Sequence, residues 1–175
     1  MRTLLLESLF KATHTEKLPE RDPALFELGD EIARAAFRRL GRSLSIREVD
    51  AGSCNGCELE INALGNPFYD LERFGLRFVA SPRHADVLLV TGPVTKNMRE
   101  ALEKTYEAMP APKWVVAAGD CALDGGCFAG SYAVVGGVAK VVPVDLHVPG
   151  CPPSPVRLLQ GLLALLDGAN REAAA

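Results

Sequence analysis

Apolar and polar positions alternate with a helical period in the first part of the chain. Between Asp22 and Gly41 the apolar residues fall on one face of a helix and most charged residues fall opposite. Asp22 suits the N-cap, Pro23 the first helical position and Gly41 the C-terminal cap. The pattern therefore predicts an amphipathic helix. Its apolar face consists of Leu25, Leu28, Ile32, Ala36 and Leu40, flanked by Phe26 and Phe37.

This helix has two possible roles. It can pack on its own domain or on a partner subunit, or it can lie on a membrane surface. The arginines favour the membrane interpretation, and the acidic residues of the same helix weigh against it. The arginines concerned are Arg34, Arg38, Arg39 and Arg42. Residues 1–21 show little periodicity and predict an extended arm.

From Ser45 onward, short apolar runs alternate with helical patterns. Predicted strands cover residues 46–49, 77–80, 87–91, 114–118 and 141–148, the last bent or edge-like because it contains Pro143. Predicted helices cover residues 57–64 and 96–109, and a last one starts at Pro155, capped by Ser154, and ends at Gly168. Strands separated by helices indicate an α/β sandwich with a mainly parallel sheet. We therefore divide the chain into an arm and helix (1–44), an α/β domain (45–168) and a frayed tail (169–175).

Cysteines follow three of the predicted strands. Cys54 and Cys57 form a C-x-x-C pair after the first strand, Cys121 follows strand 114–118, and Cys151 follows strand 141–148. The loops that leave the carboxyl ends of parallel strands meet at one edge of a sheet, where ligands bind. We therefore expect these four thiols to converge on a single metal centre.

Composition narrows the class of protein. The chain has 175 residues, of which 48% are hydrophobic, and this suits one folded domain. Its net charge of -3 argues against a nucleic-acid binder. Its apolar runs are too short to span a bilayer. Glu7 interrupts the apolar N-terminus, which is only weakly like a signal peptide. We expect an intracellular chain, in which clustered cysteines are metal ligands or redox groups rather than disulfides.

The spacing of the four cysteines is compatible with an iron–sulfur cluster, a structural zinc site or unrelated redox thiols. Zinc sites usually use two close pairs, whereas this chain has one pair and two single cysteines. Ligands that the sheet brings together suit a bulky cubane, and nearby glycines let backbone amides approach the sulfurs. The fifth cysteine, Cys127, could replace Cys121 as a ligand, but we predict a small buried thiol.

Other polar residues have less specific patterns. Glu58 and Glu60 open the helix after Cys57, where acidic residues stabilise the helix N-terminus. Arg83 and His84 precede the third strand and are predicted to be a solvated loop pair, the alternative being a cationic or titrating group near the metal centre.

The remaining acidic residues and histidines are predicted to be structural. Asp86 and Asp120 are interpreted as turn-forming residues, and His14 and His147 lack ligand spacing. The glycine pairs at 125–126 and 136–137 match no nucleotide-binding pattern, so we expect no flavin or nucleotide.

Four segments carry a family resemblance. They read Gly-Ser-Cys-Asn-Gly-Cys-Glu-Leu-Glu, Ser-Pro-Arg-His-Ala-Asp-Val-Leu-Leu-Val-Thr-Gly, Gly-Asp-Cys-Ala-Leu-Asp-Gly-Gly and Val-Pro-Gly-Cys-Pro-Pro-Ser-Pro. With them, residues 50–166 resemble the small, cluster-bearing subunit shared by respiratory complex I (its 20 kDa, B-type subunit) and membrane-bound [NiFe] hydrogenases. The resemblance implies a flavodoxin-like fold without flavin and one [4Fe-4S] cluster. Its ligands would be Cys54, Cys57, Cys121 and Cys151.

The C-x-x-C pair resembles the formate hydrogenlyase branch, because the complex I subunit typically has two adjacent cysteines there. The resemblance implies an oxidoreductase subunit that transfers electrons, with the catalytic centre on a large [NiFe]-hydrogenase-like or complex I 49 kDa-like partner. It also implies a ferredoxin-like subunit, membrane subunits and a peripheral position on the cytoplasmic side of the cell membrane. Alternatives are a complex I subunit passing electrons to quinone and, more remotely, a zinc-stabilised interaction module. Near such a cluster, Glu58 would be a candidate proton relay.

Overall fold

The computed structural model describes residues 22–172, which form a parallel sheet covered by helices on both faces. The strands are β1 (Leu44–Asp50), β2 (Leu76–Phe78), β3 (Val87–Thr91), β4 (Val94–Thr95), β5 (Trp114–Ala118), β6 (Val134–Gly136) and β7 (Leu146–Val148). The helices are α1 (Pro23–Leu40), α2 (Gly56–Ala63), α3 (Lys96–Ala108), α4 (Asp120–Asp124) and α5 (Pro155–Glu172).

Five strands form the main sheet in the order β2-β1-β3-β5-β7, and all neighbours pair in parallel. β4 and β6 form a separate antiparallel pair. Counted along the chain, the order of the main sheet is 2-1-3-4-5, which is that of flavodoxin-like folds. The predicted α/β sandwich with a parallel sheet is confirmed.

The central strands are buried on both faces, so their sequences are continuous apolar runs rather than alternating ones. All residues of β3 and β5 are buried. On one face α1, α2 and α5 cover the sheet, with Leu44, Ile46 and Leu89 in the shared core. On the other face α3 and α4 pack on Leu88 and Val90. This gives three layers, and the loops at the carboxyl ends of the strands remain open.

Helix α1 has the termini that the sequence predicts. Asp22 Oδ1 accepts a hydrogen bond from the amide of Ala24 at 3.0 Å. Gly41 has a φ of +66°, and its amide donates to the carbonyl of Phe37 at 2.9 Å. Leu25, Ile32 and Ala36 are buried in the core cluster that α1 shares with α5 and the sheet. The apolar face is thus used within the chain, so the membrane-surface interpretation of this face is wrong.

Two boundaries differ from the prediction by more than two residues. The last strand covers Leu146–Val148 rather than 141–148, because residues 138–140 form a 3-10 turn and Val142 packs in the second core cluster. The last helix continues past Gly168 to Glu172, so the tail is helical to that residue. Helix α4 and the β4–β6 pair were not predicted. The predicted arm, His14 and residues 173–175 lie outside the described residues, and the proposed domain division stays a prediction.

No helix between residues 22 and 172 combines the length and the apolar character that a membrane crossing requires.

Candidate metal centre

The four predicted ligands meet at the carboxyl edge of the sheet. Cys54, Cys57, Cys121 and Cys151 line a single cavity of about 90 Å³. Cys54 and Cys151 are exposed, and Cys57 and Cys121 are half-buried. The cavity is therefore open to solvent on one side and closed by the sheet on the other. The sequence predicted this convergence from the placement of the cysteines after β1, β5 and β7.

The loop that carries Cys54 is ordered by its own side chains. Asp50 Oδ1 accepts hydrogen bonds from the amides of Gly52 and Ser53, both at 2.7 Å. Ser53 Oγ accepts from the amide of Asn55 at 3.1 Å. Asn55 has a φ of +70°, a left-handed conformation that asparagine tolerates. This loop places Cys57 in the first turn of α2, where the free backbone amides stabilise a nearby negative charge.

The loops after β5 and β7 are joined by hydrogen bonds. The amide of Gly119 donates to the carbonyl of Val148 at 2.8 Å. His147 Nε2 lies 3.0 Å from the carbonyl oxygen of Gly119. This contact gives His147, predicted to be structural, a role in fixing the loop before Cys121. Asp120 is an exposed residue that holds the loop of Cys151, rather than only forming a turn.

Two glycines leave room at the sulfurs. A Cβ at Gly119 would lie 2.8 Å from Cys57 Sγ, and one at Gly126 would lie 2.6 Å from Cys121 Sγ. Both have positive φ, of +90° and +52°, which other residues rarely adopt. At these two positions the backbone therefore approaches a sulfur more closely than it could if the residue had a side chain. A group held by thiolates and backbone amides requires such an approach.

Burial and charge oppose ionisation of the thiols. Burial raises the pKa of Cys57 to about 12, and the Glu58 carboxylate and then the other three cysteines of the cavity add to this. Burial also raises the pKa of Cys121, with Cys127 and Cys151 contributing. A cation held between the thiols would displace their protons and offset this cost of ionisation.

The residues fit a multi-atom iron–sulfur group. One zinc ion holds its sulfur ligands about 3.8 Å apart, because each Zn–S bond is about 2.3 Å. Over residues 22–172, no three His, Cys, Asp or Glu side chains are grouped for a single metal ion. The cavity of about 90 Å³ is several times the roughly 10–15 Å³ that one water-sized occupant needs. Its donors are four thiols, the ligand set of a cubane.

Cys127 differs from the prediction. It is exposed rather than buried, and it does not line the cavity that holds the other four. The apolar run that follows Cys127 in sequence suggested burial, but the double glycine before it turns the chain outward.

Two buried polar groups near this edge have no partner among the described residues. Glu58 is 8% exposed, and neither of its carboxylate oxygens makes a hydrogen bond. Thr91, the last residue of β3, is fully buried with a free hydroxyl. Sequence reasoning missed Thr91, because a threonine that ends a strand is an ordinary strand residue. Glu60, also predicted at the helix start, is partly exposed.

Three other candidates lie at the opposite edge of the sheet. Arg83 and His84 are exposed in a 3-10 turn before β3, at its amino end, which supports a solvated pair and removes them from the metal centre. Asp86 is not an open turn residue. It is 3% exposed and paired with Arg42 at 2.6 and 3.0 Å, and it accepts a hydrogen bond from the amide of Ser45 at 2.9 Å.

Comparison with known proteins identifies relatives. Residues 54–165 match the family model described as NADH ubiquinone oxidoreductase, 20 Kd subunit. The chain is 46% identical over 130 residues to formate hydrogenlyase subunit 7 of Escherichia coli, covering 74% of this chain and 51% of that protein. It is 48% identical over 128 residues to the probable membrane-bound hydrogenase subunit mbhJ of Pyrococcus furiosus, covering 73% and 77%. The chain thus spans about half the length of the Escherichia coli relative.

Two more similarities extend this result. The chain is 52% identical over 138 residues to the uncharacterized protein MJ0516 of Methanocaldococcus jannaschii, covering 79% of this chain and 91% of that protein. It also superposes, with a TM-score of 0.67 and 34% identity, on a chain of the membrane-bound sulfane sulfur reductase, an archaeal respiratory membrane complex, covering 81% and 77%. The family match covers more than half of the chain and includes all four cysteines that line the cavity. The chain belongs to the NADH ubiquinone oxidoreductase 20 kDa subunit family, whose members are subunits of oxidoreductase complexes.

Proposed function

We propose that this chain binds one [4Fe-4S] cluster through Cys54, Cys57, Cys121 and Cys151. We propose further that it transfers electrons within a membrane-associated complex of the [NiFe]-hydrogenase type, similar to formate hydrogenlyase. The observation that carries the proposal is the convergence of these four cysteines on one cavity. The names of the relatives, which include a formate hydrogenlyase subunit and a membrane-bound hydrogenase subunit, support the type of complex.

The residues of the chain have separable tasks in this proposal. When bound, the cluster accepts and releases one electron at a time. The four thiolates would hold the irons, whose positive charge offsets the burial and the negative neighbours that raise the pKa of Cys57. The glycines at 119 and 126 keep side chains away from the sulfurs. The core below the cavity keeps water from the inner side.

A large partner subunit covers the open side of the cavity in this proposal. Apolar side chains next to the ligands are exposed: Leu59 is 62%, Leu123 54% and Phe128 40% exposed. Leu59 and Leu123 each lie two residues after a cysteine that lines the cavity, Cys57 and Cys121. Exposed apolar patches of this kind mark protein interfaces. The catalytic centre, on that partner, would face the cluster directly.

The other partners in the proposal are a ferredoxin-like subunit, which exchanges electrons with the cluster, and membrane subunits that anchor the complex. The chain would bind peripherally, on the cytoplasmic side. The separation of Cys54 and Cys57 by Asn55 and Gly56 favours the hydrogenase branch over a complex I subunit that passes electrons to quinone. The role of Glu58 as a proton relay stays a prediction, which Glu58→Gln in the assembled complex tests.

The deciding experiment is anaerobic purification of the full chain, followed by iron and zinc analysis and EPR of the dithionite-reduced sample. We expect about four irons per chain and an S = 1/2 signal. Cys54→Ser should lose both, whereas Cys127→Ala, which removes a cysteine outside the cavity, should keep them. About one zinc per chain with no EPR signal would identify a structural metal module instead.

A further inference from the structure

One hydroxyl group stands among the residues around the metal centre. Besides the four cysteines, the described residues that line the cavity are Ser53, Gly56, Gly92, Asp120, Gly150 and Pro152. Of these six, Ser53 is the one whose side chain has a hydrogen to donate, since a carboxylate only accepts hydrogen bonds. Neither the proposed ligand set nor the family match gives this hydroxyl a role.

The backbone of Ser53 is held from two sides. Its amide donates a hydrogen bond to Asp50 Oδ1 at 2.7 Å. On the other side it packs against Gly92, the first residue after β3, where a Cβ would lie 2.7 Å from the Cβ of Ser53. Gly92 has a φ of +68°, a conformation that suits glycine. The chain therefore fixes Ser53 at the wall of the cavity, with its side chain half-buried.

The hydrogen of this hydroxyl has no partner in the described part of the chain. Ser53 Oγ accepts a hydrogen bond from the amide of Asn55 at 3.1 Å, which uses one of its two lone pairs. Among residues 22–172 the hydroxyl makes no hydrogen bond as a donor. Because Ser53 lines the cavity, the acceptor for its hydrogen would be an atom of the group that the cavity holds.

The sulfurs of an iron–sulfur cluster are hydrogen-bond acceptors. Hydrogen bonds to them are one of the means by which a protein sets the reduction potential of the cluster. The reduced cluster has one more negative charge than the oxidised one, so a donor stabilises the reduced form more. A donor at the wall of the cavity therefore raises the reduction potential.

We propose that the Ser53 hydroxyl donates a hydrogen bond to a sulfur of the bound cluster and thereby raises its reduction potential. This inference rests on the proposed function, because it requires the cavity to hold the cluster. It separates two tasks of one oxygen. Accepting from Asn55 shapes the loop, and donating into the cavity tunes the cluster.

The test compares Ser53→Ala, which removes both hydrogen bonds, with Ser53→Thr, which keeps a hydroxyl. Ser154→Ala is the matched control. Ser154 lies three residues after Cys151, is exposed and does not line the cavity, and its Oγ also accepts from a backbone amide, that of Arg157 at 3.4 Å. Loss of such a turn contact is therefore common to both alanine variants.

Each full chain is loaded with its cluster anaerobically, its iron is counted, and it is titrated with dithionite while the EPR signal is recorded. Electron–nuclear double resonance of the reduced cluster, in H2O and in D2O, then detects exchangeable hydrogens close to it. This second measurement responds to a hydroxyl hydrogen at the cluster and not to the shape of the loop.

We expect all variants to keep about four irons. At a fixed ambient potential, Ser53→Ala should show a ratio of reduced to oxidised cluster about threefold lower or more, as loss of one hydrogen bond implies. It should also lose one exchangeable hydrogen signal that the wild type shows. Ser53→Thr should restore both, and Ser154→Ala should change neither.

The other outcomes separate the two proposals. Unchanged potential and hydrogen signals in Ser53→Ala, with iron retained, would overturn the role of Ser53 and leave the cluster proposal intact. Loss of iron in Ser53→Ala, or an equal shift of potential in Ser154→Ala, would make Ser53 a residue that only shapes the loop and would overturn the inference too. A wild-type chain without iron would overturn both proposals.

Discussion

Asp120 and Gly150 form a reciprocal pair of hydrogen bonds between the two loops that carry the single cysteines. The amide of Asp120 donates to the carbonyl of Gly150 at 2.9 Å, and Asp120 Oδ1 accepts from the amide of Gly150 at 2.8 Å. Cys121 and Cys151 are the next residues along each loop. This pair of residues therefore helps to set the distance between Cys121 and Cys151.

Replacing Asp120 should loosen the metal centre. Asp120→Ala removes the acceptor for the amide of Gly150, and we expect a loss of stability of about 1 kcal/mol. The loaded variant should also release its iron to a chelator severalfold faster than the wild type. Asp120→Asn keeps an oxygen in the same place and should behave almost as the wild type. Equal release from the alanine variant and the wild type would show that the two loops are held by other contacts.

Gly119→Ala should prevent assembly of the metal centre. The added Cβ would meet Cys57 Sγ at 2.8 Å, at a backbone φ of +90°. Gly130→Ala is the matched control, because Gly130 has a φ of +80° but no atom within 4 Å of an added Cβ. A positive φ strains both variants, whereas loss of iron should occur only in Gly119→Ala. Iron analysis and thermal unfolding separate the two effects.

The exposed apolar residues beside the ligands should be needed for association with the partner. Leu59→Glu places a charge on a side chain that is 62% exposed, and we expect the chain to keep its iron but to lose co-purification with the large subunit. Phe37→Glu is the control, since Phe37 is 69% exposed on α1, near the amino end of β1. Co-purification of the Leu59 variant at the wild-type level would place the interface elsewhere.

Stability should depend on pH through Glu48. Burial, and then the nearby carboxylates of Glu58 and Asp50, raise the pKa of Glu48 above its usual value. Because its pKa is raised in the folded state, the contribution of Glu48 to stability is fully present below the pKa that a glutamate has in the unfolded chain, about 4.3. It is lost as the pH rises through the folded pKa.

Glu48→Gln should therefore raise the melting temperature of the chain at pH 7, and the gain should disappear near pH 4. Glu107→Gln, at an exposed position on α3, should change little at either pH. Melting curves across this range test the prediction, and a gain that is the same at pH 4 and pH 7 would contradict the electrostatic cause.

The ion pair between Arg42 and Asp86 should support the fold rather than the metal centre. The Asp86 side chain is 4% exposed, so Arg42→Met leaves a buried carboxylate without its cation. We expect a loss of about 2 kcal/mol, below the range for fully buried pairs because the Arg42 side chain is 53% exposed. Arg34→Met breaks a pair whose two side chains are 60% and 53% exposed and should cost about 0.5 kcal/mol or less. Chemical denaturation measures both.

The sequence predicts those features that depend on neighbouring residues. β3 and β5 have the predicted bounds, because each is a continuous apolar run that must be buried on both faces. The convergence of the four cysteines follows from the fact that loops after parallel strands share an edge. Neither result needed knowledge of distant contacts.

The features that were missed depend on such contacts. Asp86 is followed by a strand and looks like a turn residue, but Arg42, 44 positions away, makes it part of a buried pair. Residues 141–145 are apolar enough for a strand, but they do not form one, and Val142 packs in the second core cluster. Cys127 is exposed because the chain turns at Gly125 and Gly126, whereas the apolar residues after it predicted burial.

β7 lies at the edge of the main sheet and is the last of its five strands along the chain. Cys54 and Cys57 leave the ribosome early, but the fourth thiol reaches its place only when β7 has paired with β5. Long-range pairing of this kind is slow compared with local structure formation. In the proposed function, the four cysteines are therefore brought together for the cluster only after β7 has paired with β5.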